Sequence, residues 1–204
     1  DFFGIDTFTY YIFDGESISN TATVTITVNA VNDPPLAVDD VYYTDEDVLL
    51  IVPYPGVLAN DDDVDFYDYV TAENLTTTQH GSLVFFYEGD FEYTPDSNWY
   101  GTDYFEYRAF DTLVYGNTAT VTIVVNPVND IPIAVADEFT MDRDTALHIS
   151  TADLLSNDFD VDGDRLQVLI QSDPSFGTFS ILSNYEFAYT PSLGWYGTDS
   201  FTYR

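Results

Sequence analysis

The sequence predicts an all-β protein, a string of Greek-key β-sandwiches set end to end, on three observations. First, Val31-Asn32-Asp33 returns as Val128-Asn129-Asp130, and Gly4-Ile5-Asp6-Thr7-Phe8 returns as Gly101-Thr102-Asp103-Tyr104-Phe105 and again as Gly197-Thr198-Asp199-Ser200-Phe201. The period, roughly 97 residues, is that of one small domain rather than of one solenoid turn, so each unit should own a core. Second, apolar residues recur at every second position, as in Thr21 to Val28, where Ala22, Val24, Ile26 and Val28 alternate with threonines. Third, turn residues interrupt the chain at short intervals and no helical periodicity intervenes.

Taken in order, residues 1–30 read as the closing hairpin of one repeat. In the next repeat, strand-like runs lie at Ala37 to Thr44, Val48 to Val52, Tyr69 to Leu75, Ser82 to Phe86 and Asp90 to Thr94. Asp103 to Phe110, alternating Tyr and Phe, and Thr118 to Val125, which repeats the pattern of Thr21 to Val28, then form a hairpin across a short turn. About seven short strands in about a hundred residues is the signature of an immunoglobulin-like sandwich. Pro34, Pro35 and Pro132 mark the junctions, where they end strands and stiffen linkers. The organisation expected is therefore a hairpin at 1–30, a complete repeat at 31–127, and at 128–204 a repeat lacking its last strand. Such a sandwich exposes a sheet edge that something outside it should complete.

Composition narrows the function. Four Lys+Arg against 36 Asp+Glu give a net charge of −32, which excludes a surface that tracks phosphates of nucleic acid or of an anionic membrane. At 45% hydrophobic and 17% aromatic residues the chain is too apolar for a disordered acidic tail. With no Cys there is no disulfide and no thiolate chemistry, and with Arg108, Arg143, Arg165 and Arg204 as the only basic residues besides histidine there is no lysine cross-link. No apolar run is long enough to span a bilayer. Metal binding is the staple that remains.

The carboxylates say where. In Asn157-Asp158-Phe159-Asp160-Val161-Asp162-Gly163-Asp164 they stand at every second position, so in an extended loop Asp158, Asp160 and Asp162 can converge on one hard cation, with Asp164 closing the run after the turn at Gly163. Calcium fits this donor set best. The opening matches an EF-hand loop, but Leu169 stands at the twelfth position and strands flank the loop, so an EF-hand is rejected. The earlier copy keeps Asp61, Asp63 and Asp65 but carries Phe66 and Tyr67 in place of the Gly-Asp pair, and is expected to be weaker. Asp and Asn also favour turns by themselves. Carboxylates about 5 Å apart repel by about 3 kcal/mol per pair at an effective dielectric near 20, however, and turn propensity does not offset several such pairs.

Together, the Val-Asn-Asp-x-Pro linkers, the acidic triple Asp45-Glu46-Asp47, the DxD loops, and Asp111 just before Thr118 to Val125 resemble the calcium ligands of cadherin repeats. More closely, the whole chain resembles the bacterial cadherin-like tandem repeats of large secreted and surface adhesins. The resemblance implies calcium at each junction. At the first junction Asn32 and Asp33 of the linker would act with Asp63, Asp65 and Asp111. At the second, Glu46 of the preceding repeat would act with Asn129, Asp130, Asp160 and Asp162. Arg143 stands at the place of Glu46 one repeat later, and the counterpart of Asp111 lies past residue 204.

Other candidates carry less. Trp99 and Trp195 are expected as core plugs at a sandwich corner, with a sugar-stacking platform formed by Trp99 and Tyr100 as the alternative. His80 and His148 have no Ser or Cys partner in the pattern, and Asp6, Asp103 and Asp199 are expected to cap the turn entering the following strand. The functional expectation is a calcium-rigidified stalk of a bacterial adhesin, extracellular or on the cell surface, and no enzyme, because no nucleophile, base and orienting group recur together. Its partners would be neighbouring repeats of the same or another copy, with a glycan or cell-surface ligand engaged by domains outside this chain, and neither nucleic acid nor direct membrane insertion. The alternatives are a carbohydrate-binding module and a protomer of an extracellular fibre completed by strand donation.

Overall fold

The computed structural model describes residues 2–65, 69–183 and 185–204. Internal contacts divide the chain into two units, Asp1–Pro127 and Val128–Arg204.

In the first unit the two period-two segments at the start form a hairpin. Strands β1 (Gly4–Tyr10) and β2 (Ala22–Val28) pair antiparallel from Gly4↔Val28 to Tyr10↔Ala22. Ile5, Phe8 and Ile26 stay exposed on it. The sandwich follows as β3 (Asp40–Asp45), β4 (Leu50–Val52), a 3-10 turn at Gly56–Ala59, β5 (Thr71–Asn74), β6 (Gly81–Phe85), β7 (Phe91–Pro95), β8 (Gly101–Phe110) and β9 (Tyr115–Asn126). One sheet has the order β3-β9-β8-β5 and the other β4-β7-β6. All neighbours are antiparallel except β3 and β9, which run parallel from Asp40↔Val121 to Asp45↔Asn126. That is a Greek-key sandwich.

Alternation makes the core. Ala119, Val121, Ile123 and Val125 of β9, Phe105, Tyr107 and Ala109 of β8, and Phe91 and Tyr93 of β7 are all buried. Edge-to-face packing of Phe91 on Phe105, with centroids 5.3 Å apart, ties the two sheets together. Burial of this many large apolar side chains, each contributing about 1.5–3 kcal/mol, is what holds the unit without a disulfide. Strand β3 starts three residues later than the sequence predicts, because the side-chain amide of Asn117 takes the place of ladder bonds at Ala37: it accepts from the Ala37 N–H at 2.9 Å and donates to the Ala37 carbonyl at 2.8 Å. The 3-10 turn sits against the β6–β7 hairpin so tightly that a Cβ on Gly56, whose φ is +60°, would lie 1.9 Å from the Gly89 carbonyl oxygen. Only glycine fits there.

The second unit repeats the plan with β10 (Leu147–Ser150), α1 (Thr151–Leu154), β11 (Ile170–Ser172), β12 (Gly177–Ser183), β13 (Glu186–Pro191) and β14 (Thr202–Tyr203). Its sheets are β10-β13-β12 and β11-β14. The single turn α1 is fixed by a capping box: the Asp153 N–H donates to Ser150 Oγ at 3.1 Å, and the Ser150 N–H to Asp153 Oδ2 at 2.9 Å. It drops Leu154 into a small core with Ile149 and Phe187. Neither this turn nor its 3-10 counterpart is long enough to print a helical period on the sequence. Residues 137–142, the counterpart of β3, form no strand; in the first unit β3 is paired with β9. A cavity of about 720 Å³, lined by Phe139, Met141, Ile149, Leu154 and Phe201 among others, opens on that side.

Candidate metal centre

Asn32 and Asp33 are set beside the first DxD loop by one isolated bridge. The Leu36 N–H donates to the Asp62 carbonyl at 2.8 Å and the Asp62 N–H to the Leu36 carbonyl at 3.1 Å, so the two prolines before Leu36 lead the linker along the loop. The Asp33 N–H then donates to Asp65 Oδ2 at 2.7 Å, and the Asp65 N–H to Asp63 Oδ1 at 2.9 Å. Asp63 Oδ2 is closed off from solvent and has no hydrogen-bond partner. Asp111, at 1% exposure, comes in from the end of β8: its Oδ1 accepts from the N–H groups of Leu113 and Val114, both at 2.7 Å, and its Oδ2 from the Asn32 amide at 2.7 Å. Burial would raise the Asp111 carboxyl, but the N–H of Val114, the Asn32 amide and the N–H of Leu113 outweigh it and hold it below its ordinary value. Asn32, Asp33, Asp63, Asp65 and Asp111 thus share one neighbourhood, and at least Asp111 stays ionised there.

The second unit builds the same bridge, with the Ile133 N–H on the Phe159 carbonyl at 2.8 Å. The Asp130 N–H donates to Asp162 Oδ2 at 2.6 Å, while Asp160 Oδ1 accepts from the N–H groups of Asp162 at 3.0 Å and Asp164 at 3.2 Å. The Asn129 amide turns to the Asp130 carbonyl at 2.6 Å. Asp164 is exposed and offers this network only its N–H. Of the acidic triple, the Glu46 N–H meets the Asn126 carbonyl at 2.9 Å and Asp45 Oδ1 accepts from the Asn126 amide at 3.1 Å. At the place of Glu46, the exposed Arg143 lies 3.9 Å from Asp144. Phe66 and Tyr67, expected to weaken the first loop, lie outside the described residues.

Asp61 and Asp158 are placed differently from the other loop carboxylates. Asp61 Oδ1 accepts from the Val38 N–H and from the Tyr107 hydroxyl, both at 2.8 Å, and that hydroxyl lies 2.9 Å from the Val57 carbonyl. Asp158 Oδ1 accepts from the Val135 N–H at 2.7 Å and lies 3.4 Å from the Tyr203 hydroxyl. Both carboxylates turn toward the sandwich. Asp40 is close by, 8% exposed, with Oδ2 lacking a hydrogen-bond partner. Burial first, and the charge of Asp61 second, push its carboxyl up to about 7, and burial raises Asp61 as well.

Asp103 also differs from its sequence expectation. Rather than only capping its own turn through the Tyr104 N–H, it accepts from the N–H groups of Gln79 and His80 at 2.9 and 2.8 Å and from the Tyr93 hydroxyl at 3.1 Å. Asp199 does the same for Ser175, Phe176 and Tyr189. The signal was present in the period: Asp103 is in phase with Phe105, Tyr107 and Ala109, so it had to point inward. Trp99 is half-buried against the core and stacked on His80 at 4.4 Å, and Trp195 stacks on Phe176 at 5.2 Å. His148 pairs with Glu186 at 2.9 Å.

The gathered donors are oxygens, several of them carboxylates, a set that suits a hard cation. The orphaned oxygen of Asp63 fits a cation that would complete its coordination.

Residues 32–127 match the family model of the bacterial cadherin-like domain, and residues 129–204 that of the bacterial Ig domain. No curated protein sequence matches the chain. Among solved structures, it is similar to protocadherin gamma B2 extracellular cadherin domains 1–5, with 15% identity over 94% of this chain and 45% of that one, at a TM-score of 0.46. The human desmocollin-1 ectodomain gives 10% identity over 92% of this chain and 39% of that one, at 0.37. The endo-fucoidan hydrolase MfFcnA4 of glycoside hydrolase family 107 gives 16% identity over 98% of this chain and 31% of that one, at 0.36. The chain spans less than half the length of each.

Proposed function

We propose that this chain, whose residues 32–127 match the bacterial cadherin-like domain and 129–204 the bacterial Ig domain, is a calcium-stiffened spacer of an extracellular bacterial adhesin. The observation that carries the reading is the first linker, where Asn32 and Asp33 are bonded to Asp111 and Asp65 beside the partnerless oxygen of Asp63. A divalent cation there would hold the linker to the loop and offset repulsion within a chain of net charge −32. Asn32, Asp33, Asp63, Asp65 and Asp111 would hold it at the first linker, and Asn129, Asp130, Asp160 and Asp162 at the second. No reaction is part of this proposal. No helix among the described residues is long and apolar enough to cross a membrane. Calorimetric titration tests it: Asp63→Asn should weaken one calcium-binding component by roughly tenfold or more, since affinity follows ligand charge. Identical isotherms would remove Asp63 from the site.

The carbohydrate reading loses support from the packing of Trp99, which leaves Tyr100 alone exposed, at 55%. Strand exchange between copies has one observation in its favour. Strand β2 repeats the inward residues of β9, with Ile26 46% exposed, while the second unit carries an open apolar cavity. Deleting residues 1–30 and comparing elution by size-exclusion chromatography separates the two: a loss of larger species supports exchange, and equal monomeric elution removes it.

A further inference from the structure

We infer that Tyr107 and Asp61, with Tyr203 and Asp158 in the second unit, form an inner clamp that positions the DxD ligands rather than binding the cation themselves. This rests on the calcium reading and adds residues to it.

Tyr107 is fully buried on β8, in phase with Phe105 and Ala109. Its hydroxyl reaches the base of the loop, 2.8 Å from Asp61 Oδ1 and 3.1 Å from Asp61 Oδ2, while lying 2.9 Å from the Val57 carbonyl of the 3-10 turn and 3.2 Å from the Val38 carbonyl. Asp61 Oδ1 also takes the Val38 N–H. One hydroxyl therefore joins three pieces of chain: the segment after the linker, the turn after β4, and the loop. Further along the loop Asp63 and Asp65 lie at the linker instead: Asp65 Oδ2 takes the Asp33 N–H and Asp63 Oδ1 the Asp65 N–H. With the acceptors of Asp61 directed to Val38 and Tyr107, a cation competing for Asp61 would have to break a buried hydrogen bond, which costs about 1–3 kcal/mol.

The second unit repeats the device with its own residues. The Tyr203 hydroxyl lies 3.1 Å from the Leu154 carbonyl, 3.2 Å from the Val135 carbonyl and 3.4 Å from Asp158 Oδ1, with its shortest contact, 2.8 Å, to Asp137. Asp137 is the counterpart of Asp40. The same phenol thus stands among the same backbone groups in two sandwiches whose sheets differ in extent, which a chance contact would not reproduce.

Calcium titration of the whole 204-residue chain tests the clamp, with Asp63→Asn marking the component that belongs to the first linker. Tyr107→Phe should weaken that component measurably but less than Asp63→Asn, since it acts through the base of the loop and not on a ligand, while calcium-free circular dichroism shows the unit still folded. A merely structural phenol would lower the calcium-free melting temperature and leave the affinity alone, which overturns the inference. Should Tyr107→Phe fail to fold, Asp61 carries the test: Asp61→Ala should weaken binding, and Asp61→Asn, which keeps an Oδ1 acceptor but no charge, should restore most of it. If Asp61→Asn instead loses as much as Asp63→Asn, Asp61 is a ligand and the clamp is wrong. Absence of calcium binding by the unaltered chain overturns both readings, and is told apart from the other results by the wild-type isotherm alone.

Discussion

Single residues in this chain divide by the direction in which period two sends them. Asp103 points into the core and collects four donors, so Asp103→Ala would strand the N–H groups of Gln79 and His80 and the Tyr93 hydroxyl. At about 1–3 kcal/mol per buried unmet group the first unit should lose about 3 kcal/mol or more, read as a lower denaturation midpoint. A change under about 0.5 kcal/mol, that of an ordinary surface position, would return Asp103 to the turn-capping role its sequence suggested. Asp40 predicts a pH effect. Its carboxyl is raised to about 7 in the fold by burial first and by Asp61 second. The folded state therefore holds a proton that the unfolded chain gives up near pH 3.8, so this contribution is complete below that value and lost as pH rises through about 7. Without calcium, melting should fall between pH 5 and pH 8, and Asp40→Asn should flatten that slope. Parallel slopes in both proteins would deny Asp40 the part.

At the scale of elements, the strands of the first sandwich could be read from alternation because β7, β8 and β9 each bury one face, and β-branched runs such as Thr118 to Val125 leave little choice. The edges were harder. Strand β3 starts late because a side chain, Asn117, substitutes for its first ladder bonds, and no periodicity encodes a long-range amide. The parallel pairing of β3 with β9 is a tertiary property that a local pattern does not carry. The candidate site was legible in part. Asn-Asp linkers and DxD loops mark the right segments, but the sequence gives Asp61, Asp63 and Asp65 one periodic row, and only the bonds to Val38 and Tyr107 set Asp61 apart. Asp40 and Tyr107 carried a signal in their phase with neighbouring core residues, yet their common target is a loop some 20 to 45 residues away in sequence.

For the whole molecule, the governing fact is a charge of −32 on folded domains without a disulfide or a lysine. Apolar burial holds each sandwich, and the proposal assigns the linkers to calcium. Asp130→Ala should leave each unit folded, because it keeps the backbone N–H bond to Asp162 and removes no core contact, but the loss of the carboxylate should reduce the maximum dimension or broaden its distribution in small-angle scattering at saturating calcium. An unchanged profile would reassign Asp130 to turn chemistry. The central claim, that calcium is part of the folded structure, is tested most directly by melting the intact chain in calcium and in chelator. Binding to the folded state alone should raise the melting temperature by mass action, by about 2.7 kcal/mol of stability at a hundredfold excess over the dissociation constant, and chelation should reverse it. Superimposable melting curves at micromolar to millimolar calcium would contradict the account.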